Sequence, residues 1–482
     1  MGLIYTSAVN RSTLVPLIVA TGLLVEHIDA TVLVTAIPTM AVDFQINPVH
    51  LKLAMTSYLL TLAVFIPASG WIADRFGARN VFCAAMAVFA AGSIACALSS
   101  SLAQIVTARI LQGVGGAMMV PVGRIVVLRS VPRTEIVGAM ALLAMPALMG
   151  PILGPPIGGF ITTYAGWHWI FWINVPIAIV GIVLALLFIP QVKEPDSAKF
   201  DWGGFALVGP GLAALLAAVS LMGLEHGTQL WIFILAAVGL LLLAAYVQHA
   251  LKRDNALIDL RLLAIPTFQS GILGGFLFRV GTGATPFLLP LMLQVGLGKT
   301  AFESGLITFA TGVGALTMKV LAPRILARYG FRQVLVNNVF LASAFVVAPL
   351  LFLAGAPVPI MIAVLFIGGL SRSLQFTSVN AVIYADIPPD AISRASTFSA
   401  VFQELSGSVG IAVAALALQV VHPASGAELS ANQFVWAFFI IAFISVTSIL
   451  PFSRLRPDAG NNLTTRVAAA TPTGTPGTAA VE

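Results

Sequence analysis

Residues 13–38 read TLVPLIVATGLLVEHIDATVLVTAIP, an apolar run that includes the ionisable residues Glu26, His27 and Asp29. A helix that crosses a bilayer needs about 20 mostly apolar residues, so this run predicts a membrane span. It is longer than the apolar part of a cleavable signal peptide, which also lacks ionisable groups in its middle. We therefore expect the span to be retained, with its ionisable groups at membrane depth.

The whole chain, like this run, is rich in apolar residues and poor in charged ones. Of 482 residues, 59% are hydrophobic and only 9% are charged, whereas soluble proteins carry roughly 25% charged residues. The composition predicts an all-α integral membrane protein, and apolar runs of about 20 residues along the chain predict fourteen transmembrane helices. The predicted spans are residues 13–38, 50–71, 79–98, 101–124, 137–160, 168–190, 203–223, 230–250, 267–290, 302–326, 333–352, 358–384, 397–419 and 432–455.

Several other classes of protein are disfavoured by the residue content. The net charge is +6, but no basic cluster is dense enough to neutralise a run of phosphates, so we expect no nucleic-acid partner. The two cysteines, Cys83 and Cys96, lie in one predicted span and cannot form a disulfide framework or a thiolate metal site. No catalytic nucleophile or zinc-protease motif is present. We expect no enzyme activity, no metal and no cofactor.

The positions of Lys and Arg predict the orientation of the chain. Cytoplasmic loops of membrane proteins are enriched in these residues. With the N-terminus inside, the outer loops hold only Lys52 and Lys299 of the 24 basic residues. We expect both termini in the cytoplasm of a multi-pass protein of the bacterial inner membrane.

The chain also contains an internal repeat. Charged connections at 191–202 and 251–266 bracket two predicted spans and leave six on each side, and GWIADRFGAR at 70–79 matches PRILARYGFR at 323–332 in the other six. Two such halves are typical of transporters, although duplication in a channel or scaffold is the alternative. The predicted parts are an N-terminal six-helix half at 1–200, two inserted helices at 201–260, a C-terminal six-helix half at 261–456 and a disordered cytoplasmic tail at 457–482.

Ionisable residues inside spans are costly and are functional candidates by default. Glu26 and Asp29 are three residues apart on one helical face, and the repulsion between them favours binding of a proton by one of them. A proton-coupling site behaves in this way, whereas a simple ion pair of Asp29 with an interior arginine is the alternative. His27 fits either a pH switch or a packed neutral histidine.

The fourth predicted span, ARILQGVGGAMMVPVGR at 108–124, places Arg109 and Gln112 on one face. Arginine keeps its proton, so Arg109 can hold an acid ionised until a proton or a cationic substrate displaces it. Asp29 is the expected partner, and a purely structural ion pair is the alternative. The second half repeats this spacing as Arg372 and Gln375.

Other polar and small residues complete the candidates. Arg279, Arg372 and Glu404 are expected to form a second polar network within the spans of the second half. In GPILGPPIGG at 150–159, small residues permit close helix contact and prolines bend the helix; whether the bend also seals the outward leak is a hypothesis. The loop at 70–79 is expected to act as a cytoplasmic latch.

Five stretches resemble the major facilitator superfamily, and specifically its fourteen-span drug:proton antiporter branch (the EmrB/QacA type). This resemblance implies the major facilitator fold, two six-helix halves plus two extra central helices. The stretches are HIDATVLVTAIP at 27–38, GWIADRFGAR at 70–79, ARILQGVGGAMMVPVGR at 108–124, GPILGPPIGG at 150–159 and WHWIFWINVPI at 167–177.

The resemblance also implies residue roles. Asp29 matches the first-span acid of the family, and Arg109 and Gln112 match its proton-linked arginine motif. Ala141 and Ala78 depart from the family pattern, which has glycine and a basic residue there. The gating loop is matched by Gly70, Asp74, Arg75, Gly77 and Arg79. The antiporter motif is matched by Gly150, Gly154, Pro155, Gly158 and Gly159.

The predicted function is proton-coupled export of small amphipathic or cationic compounds, as in multidrug efflux, with protons, substrate and membrane lipid as partners and a monomer as the expected state. Proton coupling is assigned to Asp29, Glu26 and Arg109. Alternatives are a metabolite uptake permease or facilitator on the same scaffold and a non-transporting membrane sensor. The substrate-cavity candidates are His27, Gln112, Arg279, Arg372, Gln375 and Glu404.

Overall fold

The computed structural model describes residues 11–132, 135–191, 200–221, 229–253, 256–388, 391–420 and 431–460. Within these ranges the regular structure is helical throughout. Residues 192–199 of the first charged connection and 461–482 of the predicted tail lie outside them. The first six spans are formed by α1 (Arg11–Phe44), α2 (Lys52–Phe76), α3 (Ala78–Ala97), α4 (Leu102–Ser130), α5 (Ile136–Tyr164), and the consecutive α6 (Trp169–Trp172) and α7 (Asn174–Phe188).

The remaining helices follow the predicted spans closely. The two inserted helices are α8 (Trp202–Leu221) and α9 (Gln229–Lys252). One span of the second half is broken, because α10 and α11 are separate helices and a π-helical turn follows at Met292–Gly296. The last six spans are formed by α10 (Pro266–Gly283) with α11 (Thr285–Leu291), α12 (Ala301–Tyr329), α13 (Phe331–Val347), α14 (Val358–Val382), α15 (Ile392–Val420), and α16 (Ala431–Thr447) with α17 (Ile449–Ser453).

The described helices have the length and composition of membrane spans. Thirteen of them are long and apolar enough to cross a bilayer, and α5, with 29 residues, occupies the position of the remaining predicted span. Many large apolar side chains on their outer faces are exposed, such as Phe233 and Leu241 on α9. Such faces are expected where lipid is the solvent. The prediction of an all-α, multi-pass membrane protein is confirmed.

The two matching loops have the same backbone geometry. Gly77 separates α2 from α3 with φ +89°, and Gly330 separates α12 from α13 with φ +77°. Residues with a side chain rarely adopt this conformation, so glycine allows each helix pair to be joined by a single residue. The internal repeat seen in the sequence is therefore a repeated structural element.

The two sets of six helices meet along two seams. In one seam α5 packs on α12, and in the other α2 packs on α15. A Cβ added to Gly159 would lie 2.4 Å from the carbonyl oxygen of Ala301, and one added to Gly305 would lie 2.2 Å from that of Pro155. These backbones touch near the end of the bundle where α5 ends and α12 begins. We call this the closed end.

The inserted helices pack on the second seam. α8 contacts α9, and it also contacts both α2 and α15. At the start of α8, Asp201 Oδ1 accepts a hydrogen bond from the Gly204 N–H at 2.9 Å and lies 2.8 Å from His249 Nε2 on α9. Tyr246 Oη donates to the carbonyl of Ile258 at 3.1 Å. These bonds fix the two inserted helices to each other and to the chain that follows.

Candidate functional site

A buried ion pair joins α1 to α4. Asp29 and Arg109 are 2% and 1% exposed, and Arg109 Nη1 donates to Asp29 Oδ2. The residues come together because α1 and α4 pack against each other in the first six helices. The sequence analysis named Asp29 as the expected partner of Arg109, and the structure has this pairing.

Amide side chains complete the shell around the carboxylate. Asp29 Oδ1 accepts hydrogen bonds from Gln112 Nε2 at 2.9 Å and from Asn174 Nδ2 at 2.8 Å. Both amides also donate to Ser93 Oγ, at 2.8 and 3.2 Å. Every oxygen of Asp29 thus has a donor, which is what a buried carboxylate requires.

Arg109 is held on its other sides as well. It donates from Nη1 to Gln112 Oε1 at 2.6 Å and from Nε to the carbonyl of Ala54 at 3.2 Å. Its guanidinium lies 4.1 Å from the centre of the Tyr58 ring. A buried pair with satisfied hydrogen bonds is stable as a unit, but removing the charge of either member leaves the other charge uncompensated. The bonds of this pair therefore join α1 to α4 and α7, and α4 to α2.

Asn174 and Ser93 were not singled out in the sequence. Asn174 lies within the WHWIFWINVPI stretch, and Ser93 lies in the middle of α3. A polar residue in an apolar span was the available signal for Asn174. A small hydroxyl residue such as Ser93 carries almost no signal, because it usually bonds to its own helix, as Ser93 Oγ also does with the Phe89 carbonyl at 2.9 Å.

Glu26 has a different environment from Asp29. It is 6% exposed, and its Oε1 accepts a long hydrogen bond of 3.4 Å from Tyr58 Oη. His27 Nδ1 lies 3.5 Å from Oε2, without the geometry of a hydrogen bond. Among the described residues, Oε2 of Glu26 has no hydrogen-bond partner. Both oxygens of Asp29 thus accept hydrogen bonds from described residues, whereas only one oxygen of Glu26 does.

The glycines of the GPILGPPIGG stretch bring α5 against two other helices. A Cβ on Gly150, Gly154 or Gly158 would approach α1, with the shortest distance 1.9 Å from Gly154 to Thr31 Oγ1. Thr31 Oγ1 in turn donates to the carbonyl of Gly150 at 3.1 Å. Gly159 faces α12 instead, as does the Pro155 carbonyl. The stretch therefore links the helix that carries Asp29 to the seam between the two sets of helices.

The second half does not reproduce the Asp29 site. Gln375 is fully buried, accepts from Asn338 Nδ2 at 2.9 Å and donates to the Leu335 carbonyl at 3.1 Å. Arg372 is half-buried, and among the described residues no ion pair or hydrogen bond involves its guanidinium. Gln112 and Gln375 are both held inside their own halves.

The expected network of Arg279, Arg372 and Glu404 is not joined by hydrogen bonds in the described part of the chain. Arg279 Nη2 donates to Asn380 Oδ1 at 2.8 Å, and its guanidinium lies 5.2 Å from the Phe376 ring centre. Glu404 is half-buried on α15 and within electrostatic range of Arg279 and Glu26. Arg279 thus lies within electrostatic range of Glu404, whereas Arg372 forms no bond with either of them among the described residues.

The loop at 70–79 is bonded within the first six helices. Asp74 Oδ1 accepts from Arg129 Nη2 on α4 at 2.7 Å, and Arg79 Nη1 donates to the carbonyl of Ile189 at 3.3 Å. Arg75 is exposed, and a Cβ on Gly70 would meet nothing within 4 Å. Within the part of the chain that the structure describes, Asp74 and Arg79 are the residues of this loop whose side chains hydrogen-bond to other helices or their ends.

Lys52 was assigned to an outer loop, but the structure has it as the first residue of α2 with 0% exposure. Its Nζ lies 3.5 Å from Gln419 Oε1, near the end of α15. The side chain turns into the seam between α2 and α15 because the chain reaches α2 through the short 3₁₀ helix Pro48–Leu51. Local sequence gives no sign of this, because the partner is more than three hundred residues away.

Comparisons with known proteins agree with this architecture. The family model described as Major Facilitator Superfamily matches residues 19–249 and 271–476. "Putative multidrug resistance protein MdtD" of Klebsiella pneumoniae (strain 342) is 39% identical over 456 residues, which cover 93% of this chain and 96% of that protein. The protein of the same name from Salmonella typhi is 38% identical over 455 residues, covering 92% and 95%.

Solved structures show the same fold at low sequence identity. A D-xylose-proton symporter has a TM-score of 0.65 with 14% identity, covering 93% of this chain and 98% of that one. A POT family transporter in complex with a thioalcohol-conjugated peptide has a TM-score of 0.66 with 16% identity, covering 91% and 95%. The resemblance of the five sequence stretches, the helical architecture and these matches agree: the chain is a membrane transporter, not an enzyme, and belongs to the Major Facilitator Superfamily.

Proposed function

We propose that this transporter is a proton-coupled antiporter that exports small amphipathic or cationic compounds. The observation that carries the proposal is the buried Asp29–Arg109 pair with its amide shell. It contains a carboxylate that can take and release a proton and a guanidinium that cannot. The multidrug resistance names of the relatives support the substrate class.

Proton binding at Asp29 changes the forces on α1. The ionised carboxylate attracts Arg109 and accepts from Gln112 and Asn174, whereas a protonated carboxyl loses the attraction to Arg109. The buried guanidinium is then uncompensated, and the contacts of α1 with α4 and α7 become less favourable. Because α1 packs on α5 through Gly150, Gly154 and Gly158, a movement of α1 reaches the seam that α5 forms with α12.

The proposed cycle uses the two six-helix halves as rocking units. The halves span 1–200 and 261–456, with residues 201–260 inserted between them. Both termini lie in the cytoplasm of a bacterial cell, so the closed end faces the periplasm. The protein works as a monomer in the lipid of the inner membrane. In this arrangement the cavity between the halves opens to the cytoplasm, where substrate enters.

Exchange then follows in a fixed order. In the outward-facing state Asp29 takes up a proton, shared with Glu26, and its pairing with Arg109 weakens. The loaded protein rocks inward and releases the proton to the cytoplasm, which allows Asp29 to pair with Arg109 again. Substrate binds between the halves and is carried outward. The Asp74–Arg129 pair and Arg79 brace the cytoplasmic ends of the helices that move.

Substrate flux in everted membrane vesicles tests this proposal. The lumen of such vesicles corresponds to the periplasm, so an acidic lumen supplies the proton gradient of the cell. Antiport predicts accumulation of a cationic dye in the lumen when the lumen is acidified, and release when a protonophore removes the gradient. Loss of dye from an acidic lumen, in the same direction as protons, would support an uptake permease instead.

A further inference from the structure

Three basic side chains of the second half lie inside spans without an acid bonded to them in the described ranges. They are Arg279 on α10, Lys319 on α12 and Arg372 on α14. Arg279 and Lys319 donate to the neutral side chains of Asn380 and Thr377. Cations in cytoplasmic loops set the orientation of a membrane protein, but cations inside spans are costly and need another reason.

Lys319 lies on the side of α12 that faces the first half. Gly305, Gly312 and Lys319 follow one another at intervals of seven residues, so they lie along one stripe of the helix. A Cβ on Gly305 would lie 2.2 Å from the Pro155 carbonyl oxygen, and one on Gly312 would lie 2.7 Å from Ile152 Cγ1. Both of these neighbours belong to α5. The exposed side chain of Lys319 is therefore directed between the two halves and not toward lipid.

Lys319 and Arg279 reach the same part of α14 from two different helices. Lys319 Nζ donates to Thr377 Oγ1 at 2.9 Å, and Arg279 Nη2 donates to Asn380 Oδ1 at 2.8 Å. Thr377 and Asn380 are three residues apart, so their side chains are neighbours on the surface of α14. The ammonium and the guanidinium are thus bonded within one turn of each other.

Arg372 lies on the same face of α14. Arg372, Phe376 and Asn380 follow at intervals of four residues, which places them in one row along the helix. The Arg279 guanidinium lies 5.2 Å from the centre of the Phe376 ring, and this ring also packs edge-on against Phe278 of α10. The row that contains Arg372 therefore faces α10 and the interior of the second half. Cations from three helices converge on this face of α14.

This group of cations has positive charge and hydrogen-bond donors that the described residues do not use. A guanidinium has five N–H donors and an ammonium has three. In the described part of the chain, Arg279 and Lys319 each use one donor to a side chain, and Arg372 uses none. Glu404 is an acid within electrostatic range of Arg279, but one carboxylate does not balance three cations. An anionic ligand would supply the missing charge and acceptors.

We propose that Arg279, Lys319 and Arg372 bind the carboxylate of an amphipathic substrate, and that the transporter prefers such a compound to the same compound without the carboxylate. The inference rests on the proposed function, whose substrate class it narrows. A carboxylate has two oxygens that accept paired bonds from a guanidinium, and such bonds are stronger than those between neutral groups. A positive group elsewhere on the substrate stays free, so a zwitterion also fits the site.

Binding to the purified full-length protein in phosphatidylcholine nanodiscs tests the proposal without any proton gradient. Rhodamine B and its ethyl ester share the same cationic ring system, and only the first has a carboxylate. With empty nanodiscs as background, we expect rhodamine B to bind at least about tenfold more tightly by calorimetry. Arg279→Gln, Lys319→Gln and Arg372→Gln should each reduce this preference, whereas Arg372→Lys should retain part of it. Arg324→Gln, at an exposed arginine of α12, serves as the matched control.

Equal affinity for the two dyes, no binding of rhodamine B, or an unchanged preference in all three glutamine variants would overturn the proposal. The preference is measured on the unmodified protein, so it remains decisive if a variant does not fold. It should persist in phosphatidylglycerol nanodiscs; its loss there would mean that lipid phosphate occupies the cations, which also overturns the proposal. A preference for rhodamine B without proton-driven flux in vesicles would support the site and contradict antiport. Proton-driven flux with equal binding of the two dyes would do the reverse.

Discussion

Asp29 on α1 and Arg109 on α4 form an ion pair that is almost completely shielded from solvent, with Gln112 and Asn174 bonded to the second carboxylate oxygen. Five helices contribute to this one site, because Ser93 on α3 accepts from both amides and the Ala54 carbonyl on α2 accepts from Arg109. The arrangement couples the charge of a single carboxyl group to the packing of the first six helices. It is the basis for the stability and transport effects expected below.

Removing one member of the Asp29–Arg109 pair should lower the stability of the folded protein more than removing both. In Arg109→Met the carboxylate of Asp29 stays buried without its cation, so we expect the free energy of unfolding to fall by about 3–5 kcal/mol. The double variant Arg109→Met with Asp29→Asn removes the uncompensated charge and should recover part of that loss. Thermal unfolding in detergent measures both. Arg75→Met, at an exposed arginine, should change stability little.

An additive result would contradict this account of the pair. If the double variant were less stable than Arg109→Met by the full cost of Asp29→Asn alone, the two side chains would not depend on each other.

Gly159 should be intolerant of a side chain because it touches the backbone of the other half. A Cβ there would lie 2.4 Å from the Ala301 carbonyl oxygen, so Gly159→Ala should cost about 1–3 kcal/mol and reduce export. Gly138→Ala on the same helix is the matched control, because a Cβ there meets nothing within 4 Å. Equal stability and equal export of the two variants would mean that the α5–α12 contact is not needed.

Lys52 should oppose closure of the seam between α2 and α15. Its ammonium is fully buried, has one long contact of 3.5 Å to Gln419 and lies at the positive end of the α2 dipole. Lys52→Met should therefore raise the unfolding temperature by an amount equivalent to about 1 kcal/mol or more and slow transport by favouring the closed state. Lys299→Met, at a partly exposed lysine, should do neither. A lower unfolding temperature in Lys52→Met would show that the lysine stabilises the seam.

The docking of the inserted helices should weaken in acid. Burial raises the pKa of Asp201, but hydrogen bonds from the Gly204 N–H and the interaction with His249 outweigh it and hold the pKa below the ordinary 3.8. The carboxylate therefore stabilises the folded state above pH 3.8, and this contribution is lost as the pH falls through the folded pKa. Hydrogen exchange of α8 and α9 should increase over that range in the wild type. In Asp201→Asn it should be raised already at neutral pH and change less on acidification.

Much of the fold could be predicted because the length and apolar composition of a segment identify a membrane span. Helix bounds such as Ala78–Ala97 and Val358–Val382 lie close to the predicted 79–98 and 358–384. The pairing of Asp29 with Arg109 was also predictable, because a buried arginine needs an acid and few acids lie inside the spans. Because so few charged residues lie inside the spans, each of them has few possible partners.

The remaining features depend on contacts between distant parts of the chain. Nothing near Lys52 in sequence indicates that it lies against Gln419, and nothing near Glu404 indicates that it lies within electrostatic range of Glu26. The repeat also suggested a match that the structure does not have: the Arg372 and Gln375 spacing resembles that of Arg109 and Gln112, but no acid in the described ranges pairs with Arg372. Matching sequence positions do not ensure matching partners, because these come from other helices.

Proton-driven efflux by Asp29→Asn, compared with Glu303→Gln at an exposed carboxylate, tests the central claim most directly. Asparagine keeps the size of the side chain but cannot bind and release a proton. With an acidic lumen in everted vesicles, Asp29→Asn should lose uphill accumulation of the cationic dye, while Glu303→Gln should accumulate it as the wild type does. Accumulation by Asp29→Asn at the wild-type rate would contradict the role of the Asp29–Arg109 pair in proton coupling.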